Sequence, residues 1–469
     1  MTLPPGFAAR AQGWLGAEWA DLAAALREPP VRGLRLHRVG PAAGGAAGAL
    51  ALGAPPLPLP ADLAAILGAP VSWAAAGRLC PAGRALGRHP YHEAGAYYLQ
   101  EPSAMAAAAA LQVRPGERVL DLCAAPGGKA SALGRDLRGQ GELVVNEPHP
   151  GRAQVLGRNL ERLGVPALIT QEPPERLAEA WAGWFDAVLV DAPCSGEGMF
   201  RKDPRAAAQW SERGVAGCAA RQRAILACAA RLARPGGRVL YSTCTFEPQE
   251  NEAVVAWALG ALPVEAVPLP LWPGWEPGRP EWAGGTAAVR EARRLWPHRA
   301  AGEGAFLAAL RVLGRAGRQG PAGLPPGPAP AGWRAWLTEL LPGAVLPERW
   351  LQPTLRGDFI HAPASDLPLQ GLRVLRPGLG LARRSAGRLE PEHQLAMALA
   401  GGVAARARGL DAREACAYLA GHPLAGGGER GTVWVHHGGL PLGWARDIGE
   451  RTNNLYPQGL RRQDLTDRL

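Results

Sequence analysis

Lysine is almost absent from this chain of 469 residues: Lys129 and Lys202 stand against 49 arginines, and asparagine and isoleucine are scarce as well. Such a bias is expected of a GC-rich coding sequence. It makes each surviving lysine informative, because a compact ammonium and a planar guanidinium are not interchangeable at a tight site. Long apolar runs are also missing. The longest uncharged stretch, residues 40–61, is broken repeatedly by glycine and proline, so nothing offers the roughly 20 apolar residues a membrane span requires. The first residues lack the basic patch followed by an apolar core that a secretory signal needs, so a cytoplasmic protein is expected. The seven cysteines, at 80, 123, 194, 218, 228, 244 and 416, include no CxxC pair. A disulfide framework and a structural metal site are therefore not expected.

What is present is an ordinary globular composition with a basic balance. Hydrophobic residues make up 47% and charged residues 20%, which excludes a wholly disordered chain. The formal charge of +10 fits a polyanionic partner such as nucleic acid, or a chain that is merely basic. Residues 1–91 read as a small α/β unit. A helix is predicted over residues 14–26, with Trp14, Leu15, Trp19, Leu22 and Leu26 on one side. Residues 31–39 alternate apolar and basic residues like a strand with one arginine-rich face, either touching phosphate or solvated at a sheet edge. Residues 40–61 read as a long loop.

Residues 92–313 change pattern. Strand-like runs at 118–123, 143–147, 167–170, 187–191 and 239–244 alternate with helical stretches such as 152–163 and 219–232. This predicts an α/β doubly wound sheet, mainly parallel, with ligands at the carboxyl ends of its strands. Residues 314–332 form a Gly/Pro-rich linker, and 333–402 and 403–469 read as two further modules, the last with strand signals at 432–436 and 442–445.

Three strings carry chemistry. In VLDLCAAPGGKAS a strand runs into the small residues Cys123, Ala124, Ala125, Pro126, Gly127 and Gly128 and then Lys129. Such a turn lets a ligand approach backbone N–H groups at a helix start. The next strand ends at Glu147, placed to bind ribose hydroxyls, which together suggests a nucleoside cofactor. FDAVLVDAPCSGEGMFRKDP sets Asp191 at a strand end, followed by Cys194, and PGGRVLYSTCTFEPQENE sets Cys244 at another. The plainer alternatives are Asp191 as a helix cap and Cys194 as a small buried hydrophobe. Strand ends of a parallel sheet meet at one rim, so Cys123, Cys194 and Cys244 are expected to converge, which fits nucleophilic catalysis better than metal binding. Cys218 and Cys228 lie in a helical run and read as core residues, and Lys202 reads as a phosphate contact.

DLCAAPGGK, DAPCSGEG and STCT with the following ENE resemble the cofactor, Pro-Cys and Thr-Cys motifs of the RNA 5-methylcytosine methyltransferases. YYLQEPSAM, LWPHRAAGEGAF and LPLGWARDIGERTNNLYPQGLR extend the resemblance over most of residues 90–312 and 370–469, the last string being similar to a C-terminal RNA-binding module of the family. The resemblance implies a Rossmann-like class I methyltransferase domain that uses S-adenosylmethionine, flanked by an N-terminal α/β unit and C-terminal RNA-binding, PUA-like modules. It implies Cys244 as the nucleophile, Cys194 as the residue that assists release, and Asp191 and Lys129 as their catalytic companions. The cofactor would lie on Cys123–Lys129, Glu147 and Asp191. Where the family places an acidic residue near the adenine, this chain reads LITQEPPER, leaving Glu172 as the nearest candidate. The implied partner is ribosomal RNA or the 30S subunit, met by a monomer. Cytosine-5 methylation of tRNA or of DNA and a non-catalytic ribosome-assembly factor are the competing readings.

Overall fold

The computed structural model describes residues 3–39, 57–81, 83–314, 329–342, 344–399, 403–428 and 430–467. Most of the loop expected at 40–61 and of the linker at 314–332 lies outside the described residues. At the N-terminus two helices, Pro5–Leu15 and Trp19–Ala25, replace the single helix expected over 14–26. Gly16, at φ 59°, ends the first of them, a conformation glycine reaches without steric cost. Leu15, Leu22 and Leu26 are buried as the pattern required.

The strand expected over 31–39 forms at Gly33–Leu36, but not at an edge. It lies between Ala74–Leu79 and Tyr97–Leu99 in a four-stranded antiparallel sheet, so this unit extends past the boundary expected at 91. Arg32, just before the strand, stays exposed, but its other basic residues are neither solvated nor free for phosphate: Arg35, His37 and Arg38 are all buried. Arg35 donates to Gln100 Oε1, to the Gly128 carbonyl and to Ser131 Oγ. His37 Nε2 lies 3.0 Å from the Leu163 carbonyl, and Arg38 donates to the carbonyl of Met397. Backbone carbonyls of two other units thus stand in for the water these cations would otherwise hold.

The central sheet has ten strands. Its middle five, in the spatial order Ala233–Thr243, Phe185–Asp191, Arg118–Asp121, Glu142–Asn146 and Leu168–Thr170, are parallel. Ala305–Val312 flanks them antiparallel on one side and carries Val264–Val267 and Arg293–Leu295, the latter pairing on with Trp275–Pro277. The sheet is therefore mixed rather than mainly parallel. Neighbouring residues along each central strand pack into opposite layers: Leu120, Val188 and Tyr241 into one core, Val119, Leu189 and Leu240 into the other. A strand apolar on both faces needs helices on both sides, and Glu212–Leu232 and Gly128–Asp136 are among those that cover them.

The far edge is closed by Val374–Arg376, which pairs antiparallel with Leu168–Thr170 although it belongs to the segment expected as a separate module. It covers N–H and C=O groups that an open edge would expose. The rest of the C-terminal region forms a four-stranded sheet spanning residues 354–391 and a five-stranded sheet spanning 407–454. Among the described residues no helix is long and apolar enough to cross a membrane.

Candidate active site

The carboxyl ends of the parallel strands open onto a cavity of about 300 Å³. Its lining includes Cys123, Ala124, Ala125, Pro126, Gly128 and Lys129 from the first turn, Asp191 from the strand Phe185–Asp191, and Cys244 just past Ala233–Thr243. Gly127, at φ 110°, precedes the helix Gly128–Asp136. A side chain on Gly128 would stand 2.9 Å from the ring of Tyr98 and 3.2 Å from the Gln100 amide. The turn is held from three directions. Arg35 donates to the Gly128 carbonyl, Asn159 to that of Pro126 and Arg152 to that of Ala125.

Asp121 lies under this turn. The sequence reading included it in the motif but gave it no role, and its signal was its place as the last residue of the strand. It is fully buried, and neither carboxyl oxygen has a hydrogen-bond partner. Burial and then the neighbouring Asp191 push its pKa up to about 8, against the opposing pull of Lys129 and the Cys123 amide. At neutral pH it is mostly a neutral acid, able to donate one hydrogen bond into the cavity it lines. An orphaned acid beside a small-residue turn suits a polar ligand at this point.

Lys129 Nζ donates to Asp191 Oδ2 at 2.7 Å, and Ser242 Oγ donates to Asp191 Oδ1 at 3.1 Å. Burial alone would lower the pKa of the ammonium, but Asp191 and then Cys244 more than offset that and raise it, so Lys129 stays charged. The Sγ atoms of Cys194 and Cys244 are 3.4 Å apart. The hydrogen bond to Cys244, followed by burial, holds the Cys194 thiol well above its ordinary pKa. Cys244 faces the cavity, whereas Cys194 is not part of its lining. Cys123 does line it, but burial and then Asp121 and Asp191 push its thiol far up, which makes it a poor nucleophile.

A buried brace fixes the two cysteine loops. Glu250 accepts from the Ser195 N–H at 3.0 Å and from Gln222 Nε2 at 2.7 Å, and Gln222 also donates to the Pro193 carbonyl. Asn251 accepts from Thr243 Oγ1 and donates to the Thr245 carbonyl, gripping Cys244 from both sides. Glu252 pairs with Arg294, which donates to the Phe246 carbonyl. Gly198 N donates to the Cys244 carbonyl at 2.8 Å, and a Cβ at Gly198 would stand 2.7 Å from that oxygen. The ENE string was legible as a motif, but its division of labour was not.

Three expected cofactor residues, Gly127, Glu147 and Glu172, lie outside the cavity lining. Glu147 is buried, accepts from the His149 N–H and pairs with Arg152 at 3.3 Å. Glu172 Oε1 accepts from the Arg373 N–H at 2.6 Å, so this carboxylate helps dock the strand Val374–Arg376. No group of three or more His, Cys, Asp or Glu side chains suited to a metal ion occurs among the described residues.

Comparison with known proteins agrees with this geometry. Residues 108–311 match the family described as 16S rRNA methyltransferase RsmB/F. Residues 345–399 match the RsmF rRNA methyltransferase first C-terminal domain, and 406–462 the methyltransferase RsmF PUA domain. The chain is 33% identical over 404 residues to ribosomal RNA small subunit methyltransferase F of Pectobacterium atrosepticum, covering 80% of this chain and 79% of that one. The protein of the same name from Citrobacter koseri is 32% identical over 403 residues, with 80% of each covered. The crystal structure of a methyltransferase homolog protein from Pyrococcus horikoshii superposes with a TM-score of 0.54 at 28% identity, covering 66% of this chain and 94% of that one.

Sheet order, small-residue turn and strand-end acids define a Rossmann-like methyltransferase whose cofactor is S-adenosylmethionine. The chain belongs to the 16S rRNA methyltransferase RsmB/F family and carries the two C-terminal domains of its RsmF branch.

Proposed function

We propose that this enzyme methylates carbon 5 of a cytosine in 16S ribosomal RNA of the small subunit, with Cys244 as the covalent nucleophile. The observation that carries this reading is the cysteine pair: two thiols in contact, of which Cys244 faces the cavity. Carbon 5 of cytosine is too weak a nucleophile to accept a methyl group unaided. Addition of the Cys244 thiolate to carbon 6 makes the ring enamine-like and directs electron density to carbon 5. Bound S-adenosylmethionine supplies an electrophilic methyl group on a sulfonium. Loss of the carbon 5 proton then expels Cys244 and restores the ring, with the Cys194 side chain beside it to assist.

A free thiol has a pKa of about 8.5 and is only a few per cent ionised at neutral pH. The Lys129 ammonium offers positive charge near Cys244 and to the electron-rich adduct. Asp191, fixed by Lys129 and Ser242, would hydrogen-bond the edge of the base. A base taken into such a cavity is single-stranded or flipped from its helix. The cofactor would rest on the turn Cys123–Lys129 and on Asp121, with Glu147 and Glu172 proposed for its nucleoside end.

The two cysteines separate on a denaturing gel with labelled small-subunit RNA and S-adenosylmethionine. Cys244→Ala should abolish both methyl transfer and the covalent complex, whereas Cys194→Ala should transfer a methyl group and accumulate protein joined to RNA. The reverse pattern would make Cys194 the nucleophile, as in DNA-type cytosine methylation, and would refute the assignment.

A further inference from the structure

A second cleft, of about 430 Å³, opens beside the catalytic cavity and shares a wall with it formed by Leu99, Gln100, Glu101 and Lys202. We propose that this cleft binds the sugar-phosphate backbone of the single RNA strand next to the base held at Cys244; the inference rests on the function proposed above. Its lining carries four exposed cations from three parts of the chain. Arg32 precedes the strand Gly33–Leu36, Arg84 and Arg88 come from the loop before the helix Pro90–Glu93, and Lys202 follows the Cys194 loop.

The negative charge at the cleft is already engaged. Glu101 accepts from the N–H groups of Ser103, Ala104 and Glu303, so its charge is spent on a helix start and a loop. Asp464, behind Arg88, is tied to Arg88 and Arg462. Lys202 makes no side-chain hydrogen bond or ion pair among the described residues, and neither does Arg32. Cys80 on the rim has its thiol pushed up to about 11 by burial, so the cleft holds no reactive group of its own and is built for binding.

Position favours a nucleic-acid backbone over a separate small anion. Lys202 lines both spaces, so an anion beside it lies one step from the base pocket. Leu99, 39% exposed on the shared wall, offers an apolar lip between the base and the chain leading away from it. A nucleotide has this same layout, an apolar-faced base joined to a phosphate on either side. Lys202 would take the phosphate nearest the base, and Arg32 and Arg84 one each of the next two. One of the chain's two lysines stands at this junction and the other in the catalytic cavity.

The test uses the full-length protein and a fluorescent single-stranded oligoribonucleotide containing one cytosine, titrated at several salt concentrations without turnover. The double variant Arg32→Ala/Arg84→Ala should bind about tenfold more weakly, and the slope of log affinity against log salt should fall by about 1.4, at roughly 0.7 per lost phosphate contact on a single strand. S-adenosylmethionine affinity by calorimetry should be unchanged, which also reports that the variant is folded. Arg32→Glu should lose more than Arg32→Ala, an ordering that a packing defect would not produce. Unaltered affinity and salt slope in the double variant would overturn the cleft assignment. Because no methyl transfer is needed, an error in the cytosine chemistry would show in the product and leave this measurement untouched.

Discussion

Asp121 is costly to bury: its two oxygens have no partner, and an ionised carboxylate there would face Asp191 across a poorly solvated space. Its pKa rises from an unfolded value near 4 to about 8. Between those values the folded protein binds more protons than the unfolded chain, so stability falls as pH rises from about 4 to about 8. Glu197, buried near Glu247 and Glu250 and likewise pushed up to about 8, adds to the same trend. Asp121→Asn should therefore flatten the curve of melting temperature against pH, with a gain of about 3 °C at pH 8 and little change at pH 5. Melting curves from pH 5 to 9 without cofactor would show this, and an unchanged slope would remove Asp121 as the group responsible.

At the level of single elements, the brace formed by Glu250 and Asn251 sets how close the two cysteine loops stand. Among the described residues the Glu250 carboxylate bonds on the Cys194 side, to the Ser195 N–H and to Gln222, which also holds Pro193, while the Asn251 side chain bonds on the Cys244 side, to Thr243 and Thr245; the Glu250 carbonyl accepts from the Tyr241 hydroxyl. Glu250→Gln should therefore slow release more than methyl transfer and accumulate covalent RNA–protein complex, whereas Asn251→Ala should reduce transfer itself. Single-turnover rates read beside a denaturing gel separate the two, and equal loss of both steps in both variants would reduce the brace to a general support. The central strands were legible because each is a short apolar run ending in a small or acidic residue, and those endings named Asp191, Cys194, Cys244 and Lys129 together. The strand Gly33–Leu36 was placed, but its arginines were misread, because alternation shows which residues share a face and not what covers that face. Val374–Arg376 was not foreseen at the catalytic sheet, since three residues carry no periodicity and their partner is some 200 positions away in the chain.

For the molecule as a whole, the flanking units are structural parts of the catalytic domain. Removing residues 333–469 would uncover the edge strand Leu168–Thr170, release Glu172 from Arg373 and leave Arg38 without the Met397 carbonyl. The truncated chain should melt several degrees lower and bind S-adenosylmethionine more weakly, although among the described residues none beyond 305 lines the cofactor cavity itself. The intact protein should unfold in one calorimetric transition, and two well-separated transitions would contradict this coupling. The contact between Arg38 and Met397 has a further consequence, in time. Its partners are 359 residues apart, and at about 5–20 residues per second a ribosome needs roughly 20–70 s to deliver the second after the first. For most of its own synthesis the N-terminal sheet carries a cation that its final partner has not yet arrived to receive, so this unit is among the first to emerge and the last to be closed.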